Sequence, residues 1–274
     1  MVLLALDTTS GCCSVALLRE GILSACSVDA GQGTSVSERP AVPSHSQLLL
    51  PMIDELLARE GTSLSALDAI AFGAGPGSFT GLRIACGVAQ GLGLAIDRPL
   101  VAVDSLSSMA WASGRDEAIA CLDARMGEVY CAAYRILRSP GGADWPDVPA
   151  ASIEVVFEPR ACPPHAVPVP AGSGWTGCGN GFSAYGTALH ERLPALASVD
   201  AGVMPDARAV AALGAIAYRA GRAVDAALAA PRYVRDKVAL DSGEQAALRA
   251  GAAVRMTAGM TAGMTAGVTT GVAR

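Results

Sequence analysis

Hydrophobic and polar positions fall into a short vocabulary along this chain. Residues 2–6 are an apolar run, the segment DTTSG that follows is polar and turn-forming, and residues 14–18 are apolar again. That pattern predicts strand, turn, strand, with a third strand at residues 22–28. Residues 29–43 (DAGQGTSVSERPAVP) carry no period and read as a loop. Apolar residues then recur at helical spacing through Leu49, Met52, Ile53, Leu56 and Leu57, which predicts a helix over His45–Arg59 with Ser44 as its N-cap and Gly61 as its stop. Pro51 lies inside that run and predicts a kink or a later start. Next come a strand at 69–72, the glycine-rich turn GAGPGSFTG, a helix at 82–96, a strand at 100–103 and a helix at 106–112.

From Ala118 the opening pattern returns. AIACLDARMGEVYCAAYRIL again reads strand, turn, strand, and Asp7-x3-Gly11 matches Asp123-x3-Gly127, each aspartate ending an apolar run. A single repeat at this long period implies two related halves and not a solenoid. Further on, residues 139–149 (SPGGADWPDVP) read as a hairpin loop and 153–157 as a strand. AGSGWTGCGNG reads as strand and turn, 182–192 as a helix, and Ala207–Arg219 as a small-residue helix capped by Asp206. Residues 256–268 repeat a TAGM unit without bulky side chains, so a disordered tail is expected from about residue 241.

Composition narrows the chemistry. The chain has 274 residues, 51% hydrophobic and 16% charged, with a formal net charge of −5. This describes a folded chain with no basic footprint for nucleic acid. Lys237 is the only lysine among the 20 basic residues, which removes a phosphate-loop lysine and a Schiff-base lysine from the folded body. The 8 cysteines show no CxxC and no ligand-like spacing to histidine, and are expected to be reduced, mostly buried hydrophobes. Asp7 interrupts the apolar start too early for a signal peptide, and no stretch reaches a membrane span; at fifteen residues the 82–96 helix looks too short. A cytoplasmic protein is expected. With no HExxH and no GxSxG, hydrolytic sites are absent, and His165 and His190 read as surface residues.

Three features could carry function. Asp7, Thr8 and Thr9 at a strand end are arranged as in nucleotide-binding turns that offer N–H groups to phosphate and a carboxylate toward Mg²⁺; an ordinary Asp-initiated turn explains them equally. Gly75 and Gly77, between a strand and a helix, would let an anion approach, or simply let the helix pack tightly. Gly87, Gly91 and Gly93 sit inside a helix where each costs about 1 kcal/mol relative to alanine, so a compensating close contact is expected, within the chain or with a partner.

Taken in order, LALDTTSGCCSVALL, HSQLLLPMIDELL, LDAIAFGAGPGSFTGLRIACGVAQGLG, PLVAVDSLSSMA, CLDARMGEVYCAAY and PRYVRDKV resemble the bacterial TsaB (YeaZ) family. The resemblance implies an α/β, two-lobed fold of the actin, Hsp70 and acetate kinase class with duplicated mixed-sheet subdomains, divided here into 1–105, 106–240 and the tail 241–274. The last helix of the second lobe is allowed to pack back on the first. It implies a non-catalytic scaffold that pairs with the paralogue TsaD, joined by the ATPase TsaE, to form N6-threonylcarbamoyladenosine at position 37 of ANN-reading tRNAs, touching tRNA only indirectly and forming a homodimer when alone. The paralogue's metal-binding histidines correspond here to Ser105 and Met109, so no metal is expected. The partner surface is assigned to His45, Leu49, Met52, Ile53, Leu56, Gly81, Arg83, Gly87 and Gly91, and a vestigial nucleotide site to Asp7, Thr8, Thr9, Gly75 and Gly77. No cofactor is assigned to this chain, with ATP or ADP left to the junction of the complex. An ATP-dependent phosphotransferase of the same fold class is the alternative.

Overall fold

The computed structural model of the chain describes residues 1–29, 44–138 and 151–235. The 139–149 loop, most of the 29–43 loop and the TAGM tail lie outside these residues.

Residues Met1–Val234 form one compact unit holding two five-stranded mixed sheets. The first is built from β1 (Val2–Asp7), β2 (Cys12–Arg19), β3 (Ile22–Asp29), β4 (Ala69–Gly75) and β5 (Leu100–Asp104), in the order β3-β2-β1-β4-β5. The second is built from β6 (Glu117–Arg125), β7 (Glu128–Arg138), β8 (Ala151–Cys162), β9 (Thr176–Cys178) and β10 (Ser198–Asp200), in the order β10-β9-β6-β7-β8. Both are an antiparallel three-strand meander extended by two parallel strands. The duplication therefore reaches well beyond the two turns that advertise it in the sequence.

Helix α1 (His45–Arg59) and helix α2 (Phe79–Ile96) cover one face of the first sheet. Residues alternate across a strand, so Leu4 and Leu6 face α1 and α2, while Leu3 and Ala5 face the other side. That side is covered by α5 (Ala207–Arg219), which comes from the second half of the chain. The exchange is reciprocal. Helix α3 (Ser105–Ala112), from the first half, places Leu106, Met109 and Ala110 on the second sheet against Ala118, Ala120 and Tyr134, while α4 (Gly181–Arg192) covers its opposite face. Counted from the repeat that begins at Ala118, each half thus contributes one helix to the other's core; with the boundary at 105, α3 lies with the second sheet and only α5 crosses to the other. The small residues of α5 allow a close approach: a Cβ on Gly214 would meet that of Ala71 at 2.5 Å.

Two expectations need correction. Pro51 does not break α1, which runs from the Ser44 cap, closed by a capping box with Gln47, through to Arg59. Helix α2 starts at Phe79, not residue 82, because the Ser78 side chain accepts from the Gly81 amide and caps it there. At 18 residues it is long and apolar enough to cross a membrane by length and composition. In the fold it is instead a layer of the first sheet, with Leu82, Ala85, Cys86, Ala89 and Gly93 buried. Strand β10 was not anticipated, since three residues are too few to show alternation.

Candidate functional site

Both expected turns are present and share one local bond. The Thr9 amide donates to Asp7 Oδ1 at 2.9 Å, and the Arg125 amide donates to Asp123 Oδ1 at 2.8 Å. Beyond that bond they diverge. Around Asp123 the charge is met by Arg125 Nη1 at 3.3 Å and by the Tyr185 hydroxyl at 3.2 Å. Around Asp7 the turn is sealed. Asp7, Thr8 and Thr9 are at most 1% exposed. The Thr8 hydroxyl donates to the Gly81 carbonyl at 2.7 Å, and the Ser78 amide donates to the Thr9 carbonyl at 2.8 Å.

Glycines make this seal. A Cβ on Gly73 would lie 2.0 Å from Asp7 Oδ2, one on Gly77 2.4 Å from the Thr9 carbonyl oxygen, and one on Gly81 1.8 Å from the Thr8 carbonyl oxygen. Gly75, at φ +109°, turns the chain into the loop, and a Cβ there would meet the Arg232 carbonyl oxygen at 2.8 Å. The 75–81 loop is therefore pressed onto the β1–β2 turn. The two groups assigned to a vestigial nucleotide site come together, pressed against each other. Burial raises Asp7 to about 7, against the hydrogen bonds from Thr9.

Ser105 and Met109, matched by the resemblance to the paralogue's histidines, are both buried. The Ser105 hydroxyl donates to Thr9 Oγ1 at 3.2 Å, and Met109 is fully buried in the core of the second sheet. Among the described residues no three His, Cys, Asp or Glu side chains converge as a metal site would require.

A cleft of about 580 Å³ opens between the sheets, bordered by Asp104, Ser107, Tyr134, Glu158, Ile216 and Arg232. Asp104 caps α3 through the Ser107 amide at 2.7 Å and accepts from the Tyr134 hydroxyl at 2.7 Å, joining β5 to β7. Burial raises its pKa, while the Tyr134 bond opposes the shift. Arg232 lies between Asp104 and Glu158, at 3.8 and 3.3 Å. Its backbone amide donates to the Ala74 carbonyl at 2.7 Å, which holds the PRY segment against β4.

The helix surface differs from its expected composition. Leu49, Met52, Ile53 and Leu56 are at most 5% exposed, packed on the first sheet, so they belong to this chain's own core and not to a partner surface. Gly81 is committed to the seal over Thr8, and His45 is half-buried at the start of α1, where burial lowers its pKa. Arg83, Gly87 and Gly91 remain exposed, and with Leu94 they share one face of α2. Among the described residues a Cβ on Gly87 or Gly91 would find nothing within 4 Å, so packing among them does not account for either glycine.

That face ends in a cluster the sequence reading missed. Phe79 is 39% and Tyr233 47% exposed, with their rings 5.8 Å apart. The Arg83 guanidinium lies 3.9 Å from the Phe79 ring centroid and its Nε donates to the Tyr233 hydroxyl at 3.2 Å. Leu94, at 61%, and Leu50 of α1, at 47%, are further exposed apolar side chains on these helices. Aromatic and arginine side chains grouped in this way are typical of the residues that dominate protein–protein interfaces.

Known proteins place this architecture. A tRNA threonylcarbamoyladenosine biosynthesis protein TsaB from Haemophilus influenzae is 33% identical over 242 residues, 87% of this chain and 95% of that protein. The chain belongs to the TsaB/YeaZ family. The TsaB of Escherichia coli K12 is 42% identical over 139 residues, 49% of this chain and 55% of its own length. A solved structure of YeaZ from Pseudomonas aeruginosa matches with a TM-score of 0.69 at 37% identity, covering 85% of this chain and 99% of that one. The family model for TsaD, tRNA N6-adenosine threonylcarbamoyltransferase, matches residues 36–240, which makes the TsaB fold a relative of the transferase. The two mixed sheets with their exchanged helices are the α/β two-lobed architecture that the resemblance implied.

Proposed function

We propose that this chain serves tRNA threonylcarbamoyladenosine formation as a non-catalytic subunit, pairing with a TsaD paralogue through the exposed face of α2. The observation that carries the proposal is the open Gly87–Gly91 face. Two glycines inside an exposed helix cost about 2 kcal/mol of helix propensity together, and no contact among the described residues compensates. A second helix packed there would meet bare backbone, flanked by the Phe79–Arg83–Tyr233 cluster and Leu94. In the absence of the partner the same face serves a homodimer, and TsaE joins the assembled pair. Ser105 and Met109, occupying the positions of the paralogue's metal ligands, support the division of labour.

Co-purification with the TsaD of the same organism tests the proposal. Gly87→Leu combined with Gly91→Leu fills open space in the isolated chain, so the variant folds but loses the partner. Retention of the partner by the folded variant refutes the interface. The phosphotransferase alternative requires the Asp7-Thr8-Thr9 turn to receive phosphate, and the closed packing of residues 75–81 on that turn argues against it. Titration of the isolated chain with ATP and Mg²⁺ is expected to show no binding; any nucleotide is assigned to the junction of the complex.

A further inference from the structure

We propose that Cys131 and Cys162 are an oxidisable thiol pair, which closes to a reversible disulfide when a peroxide reacts at Cys162. On the β7–β8 ladder Cys131 faces Arg160 and Val129 faces Cys162, so the two cysteines are diagonal neighbours on paired strands. Their sulfurs are 3.6 Å apart and unbonded. Cys162 ends β8 and is half-exposed, whereas Cys131 is fully buried. An accessible attacking thiol backed by a buried resolving thiol is the arrangement that peroxide-sensitive pairs require.

The surroundings select which sulfur reacts. The two thiols share one hydrogen bond, which either sulfur can donate, and it lowers the sulfur that accepts it. The Arg160 cation also lowers Cys162, against burial and the Glu128 carboxylate, while burial and Cys121 push Cys131 up, so the partly exposed Cys162 is the favoured acceptor. Cys12, Cys13, Cys26, Cys86, Cys121 and Cys178 are all raised, chiefly by burial. The thiolate is the nucleophile, so Cys162 is the one positioned to react.

In the first step the Cys162 thiolate attacks one peroxide oxygen and the O–O bond breaks; with hydrogen peroxide the departing hydroxide takes up the proton that the Cys162 thiol released, leaving the sulfenic acid and one water. In the second, the Cys131 sulfur attacks the Cys162 sulfur, the S–O bond breaks, and the departing hydroxide takes the Cys131 thiol proton as water. Two thiols and one peroxide become one disulfide and two waters, a two-electron oxidation. A dithiol reductant reverses it by exchange. The bond would join β7 to the end of β8.

The test uses the full reduced chain, treated with hydrogen peroxide, alkylated with N-ethylmaleimide and mapped by mass spectrometry. The expected result is a loss of about 2 Da, a linked peptide containing Cys131 and Cys162, and recovery of both thiols with dithiothreitol. Cys162→Ser abolishes the linkage, and Cys131→Ser leaves a Cys162 sulfenic acid that dimedone traps; circular dichroism confirms that both variants are folded. Oxidation arriving first at Cys12 or Cys26, a Cys121–Cys131 linkage, an unchanged mass loss in Cys162→Ser, or no reaction at all overturns the proposal.

Discussion

Replacing both Gly87 and Gly91 by alanine should stabilise the isolated chain. Each lies inside the 18-residue helix α2, at an exposed position where an added Cβ meets nothing within 4 Å. Alanine is worth about 1 kcal/mol over glycine at such a position, so the pair contributes about 2 kcal/mol. For a folding unit of this size each kcal/mol moves the melting temperature by roughly 2–4 °C, which predicts a rise of about 4–8 °C. Differential scanning calorimetry, at a concentration where sedimentation shows a monomer, reads this directly. Gly81→Ala is the internal contrast: its Cβ would lie 1.8 Å from the Thr8 carbonyl oxygen, so the same chemical change on the same helix lowers the melting temperature. A double variant that melts at or below the wild-type temperature refutes the claim that this helix face is open and that the glycines serve something outside the chain.

Two further outcomes follow from the buried carboxylates. Burial raises Asp7 to about 7, so the folded state keeps its proton at pH values where the unfolded chain has lost it. Stability should therefore fall as the pH rises from about 4 toward 7, by up to about 1.4 kcal/mol per unit, and level off above. Asp7→Asn flattens this slope in urea titrations; an unchanged slope assigns it elsewhere. Tyr134→Phe removes the 2.7 Å bond to Asp104 that ties the second sheet to β5, at a cost of about 2 kcal/mol in a urea midpoint series, and an unaltered midpoint contradicts that role.

Much of the fold was legible because its signals are local. Helices α1 and α5 carry their caps, Ser44 and Asp206, immediately ahead of a clear apolar period, and the structure starts both helices where those caps place them. The repeated Asp-x3-Gly turns exposed the duplication because each aspartate binds the amide two residues on. The packing of α3 and α5 was not legible from local pattern, since nothing in either helix specifies which sheet it covers; the 105/106 boundary and the return of the last helix to the first lobe came from the family resemblance alone. The same limit applied to the site. An apolar period shows that α1 is amphipathic but not that its apolar stripe is fully used by its own sheet, so Leu49, Met52, Ile53 and Leu56 were misassigned to a partner. Four glycines of α2 look alike in sequence; only three-dimensional packing separates Gly81 and Gly93, pressed against neighbours, from Gly87 and Gly91, which touch nothing. Tyr233 reaches Arg83 across 150 residues of chain, a separation that no window-based pattern spans.

Amide hydrogen exchange on this chain, alone and mixed with the TsaD of the same organism, tests the central claim most directly. The partner is expected to slow exchange along α2 between Phe79 and Leu94, with the second sheet unaffected. Protection confined to the second sheet, or none on α2 in a complex that demonstrably forms, contradicts it.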